Sequence, residues 1–174
     1  MRCRIRVICA RPYEEVRAVC HTVKTEPSAA QAAAAIMAGD LPDTCVLIPV
    51  PSHEGQPGHA LTLATFLAIE GRKMGKTVHV RPYLVGNRHR SLCEVKHEGG
   101  DPSAVRMTFR FRNPVSDRRD LETLTGIGVQ PVIVDNVVDT GKTVREALRA
   151  LGTDAPVAAI GDTGNWKPQR KDKR

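Results

Sequence analysis

The sequence predicts an α/β fold, a mainly parallel sheet with helices on both faces. Three observations carry that expectation. Short apolar runs of strand length alternate with stretches of helical period along the chain. Two of the runs, "TCVLIPV" and "PVIVD", are continuously apolar, as suits strands covered on both sides. Strands that alternate with helices need crossover connections, which make neighbouring strands parallel.

"CRIRVIC" alternates and opens the chain as an edge or half-buried strand, and "PYEEVRAVCHTV" follows as a helix. "PSAAQAAAAIMAG" reads as a second helix, starting at Pro27 or Ser28, where proline suits the first turn, and stopped by Gly39. "TCVLIPV" is a strand and "PSHEGQPG" a loop. In "HALTLATFLAIEGRKMG" Leu63, Ala64 and Leu67 share one helical face, which ends near Gly75. "TVHVRPYLV" restores a strand, and periodicity then fails across "GNRHRSLCEVKHEGGDPSA". A stretch of that length without period is functional or disordered. "VRMTFRF" is a strand, "SDRRDLETLTG" a helix with Ser116 as its expected cap, and "PVIVD" a buried strand. "NVVDTG" is a loop, "KTVREALRALG" a helix stopped by Gly152, and "PVAAIG" the last strand. No internal repeat is present.

One domain of residues 1–166 followed by a basic tail, 167–174, is the simplest partition of 174 residues. Aromatic residues make up only 3%, so aliphatic side chains must fill the core and recognition of single strands by base stacking is disfavoured. The net charge of +7 concentrates in "KPQRKDKR" and between Arg81 and Arg119. The tail offers weak nucleic-acid contact at most, whereas the middle segment can attract an anionic substrate. Cys3, Cys9, Cys20, Cys45 and Cys93 have no zinc-ligand spacing and read as reduced thiols of a cytoplasmic protein. No run approaches the ~20 apolar residues of a membrane span.

The chemistry centres on "VIVDNVVDTGKT", Val132 to Thr143. Its Gly-Lys-Thr ending is that of an ATP-binding P-loop, but Asn136 stands where that loop needs its first glycine. A triphosphatase is therefore disfavoured. The expected geometry puts Asp135 at a strand tip and the amides of Thr140, Gly141, Lys142 and Thr143 at a helix N-terminus, where they favour a phosphate. A carboxylate beside such a cradle suits a phosphorylated sugar, whose hydroxyls it can accept.

Strand, acid, turn and helix in this order resemble the signature of the type I phosphoribosyltransferases, which bind phosphoribosyl pyrophosphate. That resemblance implies an α/β fold with a hood over the sheet, here a reduced one drawn from Met1 to Leu41, since little chain follows "PVAAIGDTGNWKP". It implies that Asp135 and Asn136 hold the ribose hydroxyls, that Asp139 to Thr143 hold the 5-phosphate, and that Asp139 lies near the nucleobase. Asn136 replaces the family's second acid and cannot supply its charge. "LIPVPSHEGQPGHALTLATFLA" is similar to the pyrophosphate loop of the competence-associated (ComF-type) members, which implies that Ser52, His53, Glu54 and Gly55 contact ligand. The family's flexible basic loop corresponds to "LVGNRHRSLCEVKHEGG", with Arg88 and Arg90 as phosphate-binding residues in catalysis and Lys96 next.

The implied cofactor is Mg2+, with Asp135 as its protein ligand. The implied partners are phosphoribosyl pyrophosphate and an unidentified nucleobase or nucleotide, and the expected assembly is a homodimer. Asp135 would stabilise the oxocarbenium-like ribose, and Asp139 would take a proton from the attacking base. Tyr13 or Trp166 would stack on that base. A non-catalytic sensor of phosphoribosyl pyrophosphate or a nucleotide, serving nucleic-acid metabolism, is the alternative that Asn136 favours.

Overall fold

The computed structural model describes residues 5–8 and 10–165. Trp166 and the basic tail lie outside the described residues. The elements run β1 (Val7–Ile8), β2 (Arg11–Pro12), α1 (Tyr13–Thr22), α2 (Pro27–Met37), β3 (Thr44–Pro49), α3 (Gly58–Lys73), β4 (Thr77–Val80) and β5 (Leu84–Gly86). They continue α4 (Leu92–His97), β6 (Phe109–Phe111), α5 (Ser116–Gly126), β7 (Gln130–Val138), α6 (Lys142–Leu151) and β8 (Val157–Asp162).

The main sheet has the order β1-β8-β7-β3-β4, with β2 also on β8, and every pairing in it is parallel. Alternation along β3 and β7 divides the core by face. Val46, Ile48 and Ile133 pack with Leu121 of α5 and Val144, Ala147 and Leu148 of α6. Cys45, Leu47, Val132 and Val134 pack on the other side with Cys20 of α1, Ala30 and Ala34 of α2, and Leu63 and Leu67 of α3. The α/β layout with a parallel sheet covered on both faces is therefore as expected, and with aromatics scarce the alanines of α2 let that helix lie close to the sheet.

Several elements depart from expectation in ways that shape the site. β7 runs past Asp135 through Asn136 and Val137 to Val138, because its register with β8 continues, Asp135 opposite Ala159 and Val138 opposite Asp162. Asn136 is thus a strand residue. "TVHVRPYLV" is two strands separated by Pro82, which lacks an N–H to continue the ladder. β5 leaves the main sheet and pairs antiparallel with the short β6. Glu146 of α6 accepts from the Phe109 amide at 2.8 Å, while Arg149 donates to the Phe109 carbonyl at 3.0 Å, so this hairpin is pinned to α6.

The segment without sequence period is ordered. Ser91 caps α4 by accepting from the Glu94 amide, and Asp101 caps a 3-10 turn over Pro102–Ala104. Ser116 is the first residue of α5 and caps nothing; Asp117 accepts from the Asn113 amide at 2.8 Å instead. Residues 10–41 form no separate hood. Their two helices pack on the sheet, and only α1 reaches its carboxyl edge.

Candidate functional site

A cleft of about 540 Å³ opens at the carboxyl ends of β3, β7 and β8, where parallel α/β sheets bind ligands. Its floor is Asp135 and Asn136. The turn Asp139 to Thr143 lines one side, and Tyr13, Arg17, Cys20 and His21 of α1, with Lys24 in the turn after it, line another. Ser52, His53 and His59 approach from β3 and α3, and His89, Cys93, Lys96 and His97 come from the segment after β5.

Asp135 is buried, and its carboxylate accepts the Asn136 amide at 2.7 Å. Burial dominates its ionisation and pushes its carboxyl up to about 6, although that amide and the charge of Lys24 oppose the rise. Asn136, 4% exposed, donates from Nδ2 to the Cys20 carbonyl at 2.7 Å, leaving its Oδ1 buried without a protein partner. A buried acceptor in that state requires a donor from a ligand or solvent.

Gly141 lies in the left-handed region, with φ 71°, and opens α6. Only a residue without Cβ turns the chain there cheaply, and the turn aims the first amides of a ten-residue helix at the cleft. Thr140 and Thr143 add hydroxyls, although Thr140 Oγ1 already receives the Lys142 amide at 3.4 Å. The Lys142 ammonium turns away from this cradle. It donates to the carbonyls of Pro102, Ser103 and Val105 at 3.1, 2.7 and 2.5 Å. Its side chain therefore holds the 102–105 turn against α6.

Asp139 meets Lys96 Nζ at 3.1 Å, Thr163 Oγ1 at 2.9 Å and Asn165 Nδ2 at 2.7 Å. Burial works against its charge, but the donors outweigh it and hold the carboxyl below its ordinary range. A carboxylate stabilised in this way is a poor proton acceptor, so the expected role of Asp139 as base is not favoured here.

The basic segment also differs from expectation. Arg88 pairs with Glu54 and Arg90 with Glu98, and Arg88, Arg90, Glu54 and Gly55 lie outside the cleft lining. Arg88 and Glu54, both expected at the ligand, neutralise each other. Gly55 lies against β5, where a Cβ would sit 2.5 Å from the Gly86 carbonyl oxygen. The loop amides are partly engaged within the loop, Ser52 N to Gln56 O at 2.7 Å and Gly55 N to Ser52 O at 2.9 Å. Ser52, His53 and Lys96 do reach the cleft.

His89, between Arg88 and Arg90, lines the cleft where those arginines do not. Its Nδ1 lies 2.8 Å from the Arg90 carbonyl, which can only accept, so Nδ1 carries the hydrogen. In the neutral ring Nε2 is then an acceptor, and it too is buried without a partner. His59, whose charged form burial disfavours, gave no signal beyond a lone histidine at the start of a helix. Arg17, His21 and Lys24 did carry a readable signal, a polar stripe at helical spacing beside the apolar Val16, Cys20 and Val23.

Cys20 and Cys45 are buried, and burial pushes both thiols up to about 11, so neither is a ready nucleophile. No cluster of three or more His, Cys, Asp or Glu suited to a metal occurs among the described residues. One carboxylate and one orphaned amide oxygen match an ion that takes most of its ligands from water and a substrate's phosphates, as Mg2+ does, and not a resident metal. No helix among the described residues is long and apolar enough to cross a membrane. No family model and no curated protein matches this chain.

Proposed function

We propose that the protein is a phosphoribosyltransferase-like protein that binds phosphoribosyl pyrophosphate with Mg2+ and transfers the phosphoribosyl group to a nucleobase, releasing pyrophosphate. One observation carries this reading: a buried carboxylate in the last half of β7 and an orphaned acceptor, Asp135 and Asn136 Oδ1, share a cleft with a glycine turn that opens a helix. The turn accounts for a phosphate, and the two acceptors account for sugar hydroxyls, which are hydrogen-bond donors. A bare triphosphate tail, all acceptors, would leave Asn136 Oδ1 unpaired.

In the transfer, the bond from the anomeric carbon to the pyrophosphate oxygen breaks as a bond to the base nitrogen forms, and the base loses a proton. Mg2+, with Asp135 as the residue that would hold it, would supply neutralising charge for the pyrophosphate. Asp135 faces the ribose and stabilises the positive charge that develops there. His89 Nε2, with its lone pair presented, is better disposed than Asp139 to receive the proton.

A second reading, a non-catalytic binder of the same ligand, is favoured by the commitment of Asn136 to Cys20 and of Asp139 to three donors. Calorimetric titration with phosphoribosyl pyrophosphate, with and without Mg2+, tests both, followed by a pyrophosphate assay over a panel of bases. Saturable binding with pyrophosphate release supports transfer, and binding without release selects the sensor. Absence of binding under every condition removes both.

A further inference from the structure

The cleft's lining carries four cationic side chains, Arg17, Lys24, Lys96 and Lys142, against two carboxylates, Asp135 and Asp139. Lys96 is paired with Asp139, and Lys142 is committed to three backbone carbonyls. Arg88 and Arg90 are paired outside the cleft, and Arg145, beside the turn, donates to the Thr140 carbonyl. The side chains of Arg17 and Lys24 form no hydrogen bond or ion pair with any described residue, although both residues are exposed and line the same space.

Arg17 lies on the α1 face that also presents Tyr13, Cys20 and His21 to the cleft, and Lys24 follows in the turn after that helix. α1 packs on the sheet face opposite α6. The phosphate turn and the α1 cations therefore flank the sheet's carboxyl edge from its two sides, with Asp135 and Asn136 between them. The junction is fixed, because the Cys20 carbonyl of α1 accepts the Asn136 amide at 2.7 Å beside the orphaned Oδ1. Lys24 lines the same cleft as Asp135, Cys20 and His59.

We propose that Arg17 and Lys24, with His21 beside them, form a second anion site that recognises an oxyanion at the far end of a ligand whose phosphate occupies the Asp139–Thr143 turn. This rests on the sugar-phosphate reading above and adds that the ligand is anionic at both ends. It also moves recognition of the second anion from the arginines after β5 to α1. Two sources have the required chemistry, the diphosphate of the donor and a carboxylate borne by the acceptor.

The test compares the wild-type chain with an Arg17→Gln/Lys24→Gln double variant in calorimetry. An Arg118→Gln/Arg119→Gln variant on α5 controls for the same loss of net charge. The probes are ribose 5-phosphate, phosphoribosyl pyrophosphate, inorganic pyrophosphate, and a carboxylated pyrimidine nucleotide beside its uncarboxylated parent. Circular dichroism and thermal midpoints verify that each variant folds. The expected result is a loss of about tenfold or more, in the α1 variant alone, for probes carrying a second anion, with ribose 5-phosphate unchanged. Loss confined to the diphosphates assigns the site to the donor, and loss confined to the carboxylated nucleotide assigns it to the acceptor.

Equal losses for ribose 5-phosphate, or equal losses in the α5 variant, overturn the site. So does unchanged binding of every probe in the α1 variant, which leaves the sugar-phosphate reading intact. Should wild type ignore ribose 5-phosphate yet bind pyrophosphate through Arg17 and Lys24, the anion site stands and the sugar-phosphate reading falls. Wild-type indifference to all probes removes both.

Discussion

Asn136 Nδ2 donates to the Cys20 carbonyl at 2.7 Å, joining the tip of β7 to the C-terminal half of α1. A carboxylate cannot make this bond, because it has no hydrogen to give and would face the carbonyl as a second acceptor. Asn136→Asp therefore does not simply restore a family-like acidic pair. It is expected to destabilise the protein by about 2–4 kcal/mol, since it orphans a buried carbonyl and places a second charge beside Asp135. Chemical denaturation at pH 7.5 measures this, and a variant as stable as wild type would show that the bond is not structural.

Asp135 carries the opposite tension. Its folded-state carboxyl is raised from 3.8 to about 6, so the folded protein holds this proton more tightly than the unfolded chain. Its charge consequently opposes folding above about pH 6, and that penalty is relieved as pH falls from 6 toward 4. Asp135→Asn keeps an oxygen to accept the Asn136 amide without the charge. It is expected to raise the thermal midpoint by a few degrees at pH 8, with the gain shrinking near pH 4.5, and to lose ligand binding. Equal midpoints for variant and wild type at both pH values would contradict this account.

Lys142 should behave as a structural lysine. Lys142→Met removes three charge-assisted hydrogen bonds to the 102–105 turn and leaves the backbone amides of α6 in place. The expectation is faster hydrogen exchange across residues 92–108, with phosphate affinity within about threefold of wild type. A loss of phosphate affinity of ~100-fold with unchanged exchange would return Lys142 to the cradle as a ligand.

For His89, the hydrogen on Nδ1 is a spectroscopic prediction. The ring 15N shifts at pH 8 should identify the Nδ1–H tautomer, and ligand addition should perturb Nε2 more than Nδ1. An Nε2–H ring would remove His89 as the proton acceptor.

The alternation of apolar runs with helical stretches made the parallel sheet legible, and the order of Asp135, Gly141 and Lys142 located one wall of the cleft. Residue type alone did not reveal commitment. Arg88, Arg90 and Glu54 are chemically suited to a pyrophosphate site, yet Arg88 and Glu54 pair with each other across two chain segments and Arg90 pairs with Glu98 of its own segment, and residue type does not disclose such pairings. The polar pair Asp135-Asn136 interrupts the apolar run and so resembles the start of a loop, whereas pairing with β8, a partner remote in sequence, carries the strand on to Val138. The α1 wall was the most recoverable omission, since Arg17, His21 and Lys24 fall on one face at helical spacing.

The contact between Gly55 and Gly86 couples two parts of the site mechanically. Gly86 N donates to Gly55 O at 2.9 Å, His89 N donates to His53 O at 2.9 Å, and the Arg88–Glu54 pair lies between them. The loop after β3 and the start of the segment that covers the cleft are thus sewn edge to edge. Swinging that segment outward would drag the loop with it or rip the seam. A side chain at position 55 would wedge the seam apart and alter how quickly the site admits its ligand without touching any group that binds it.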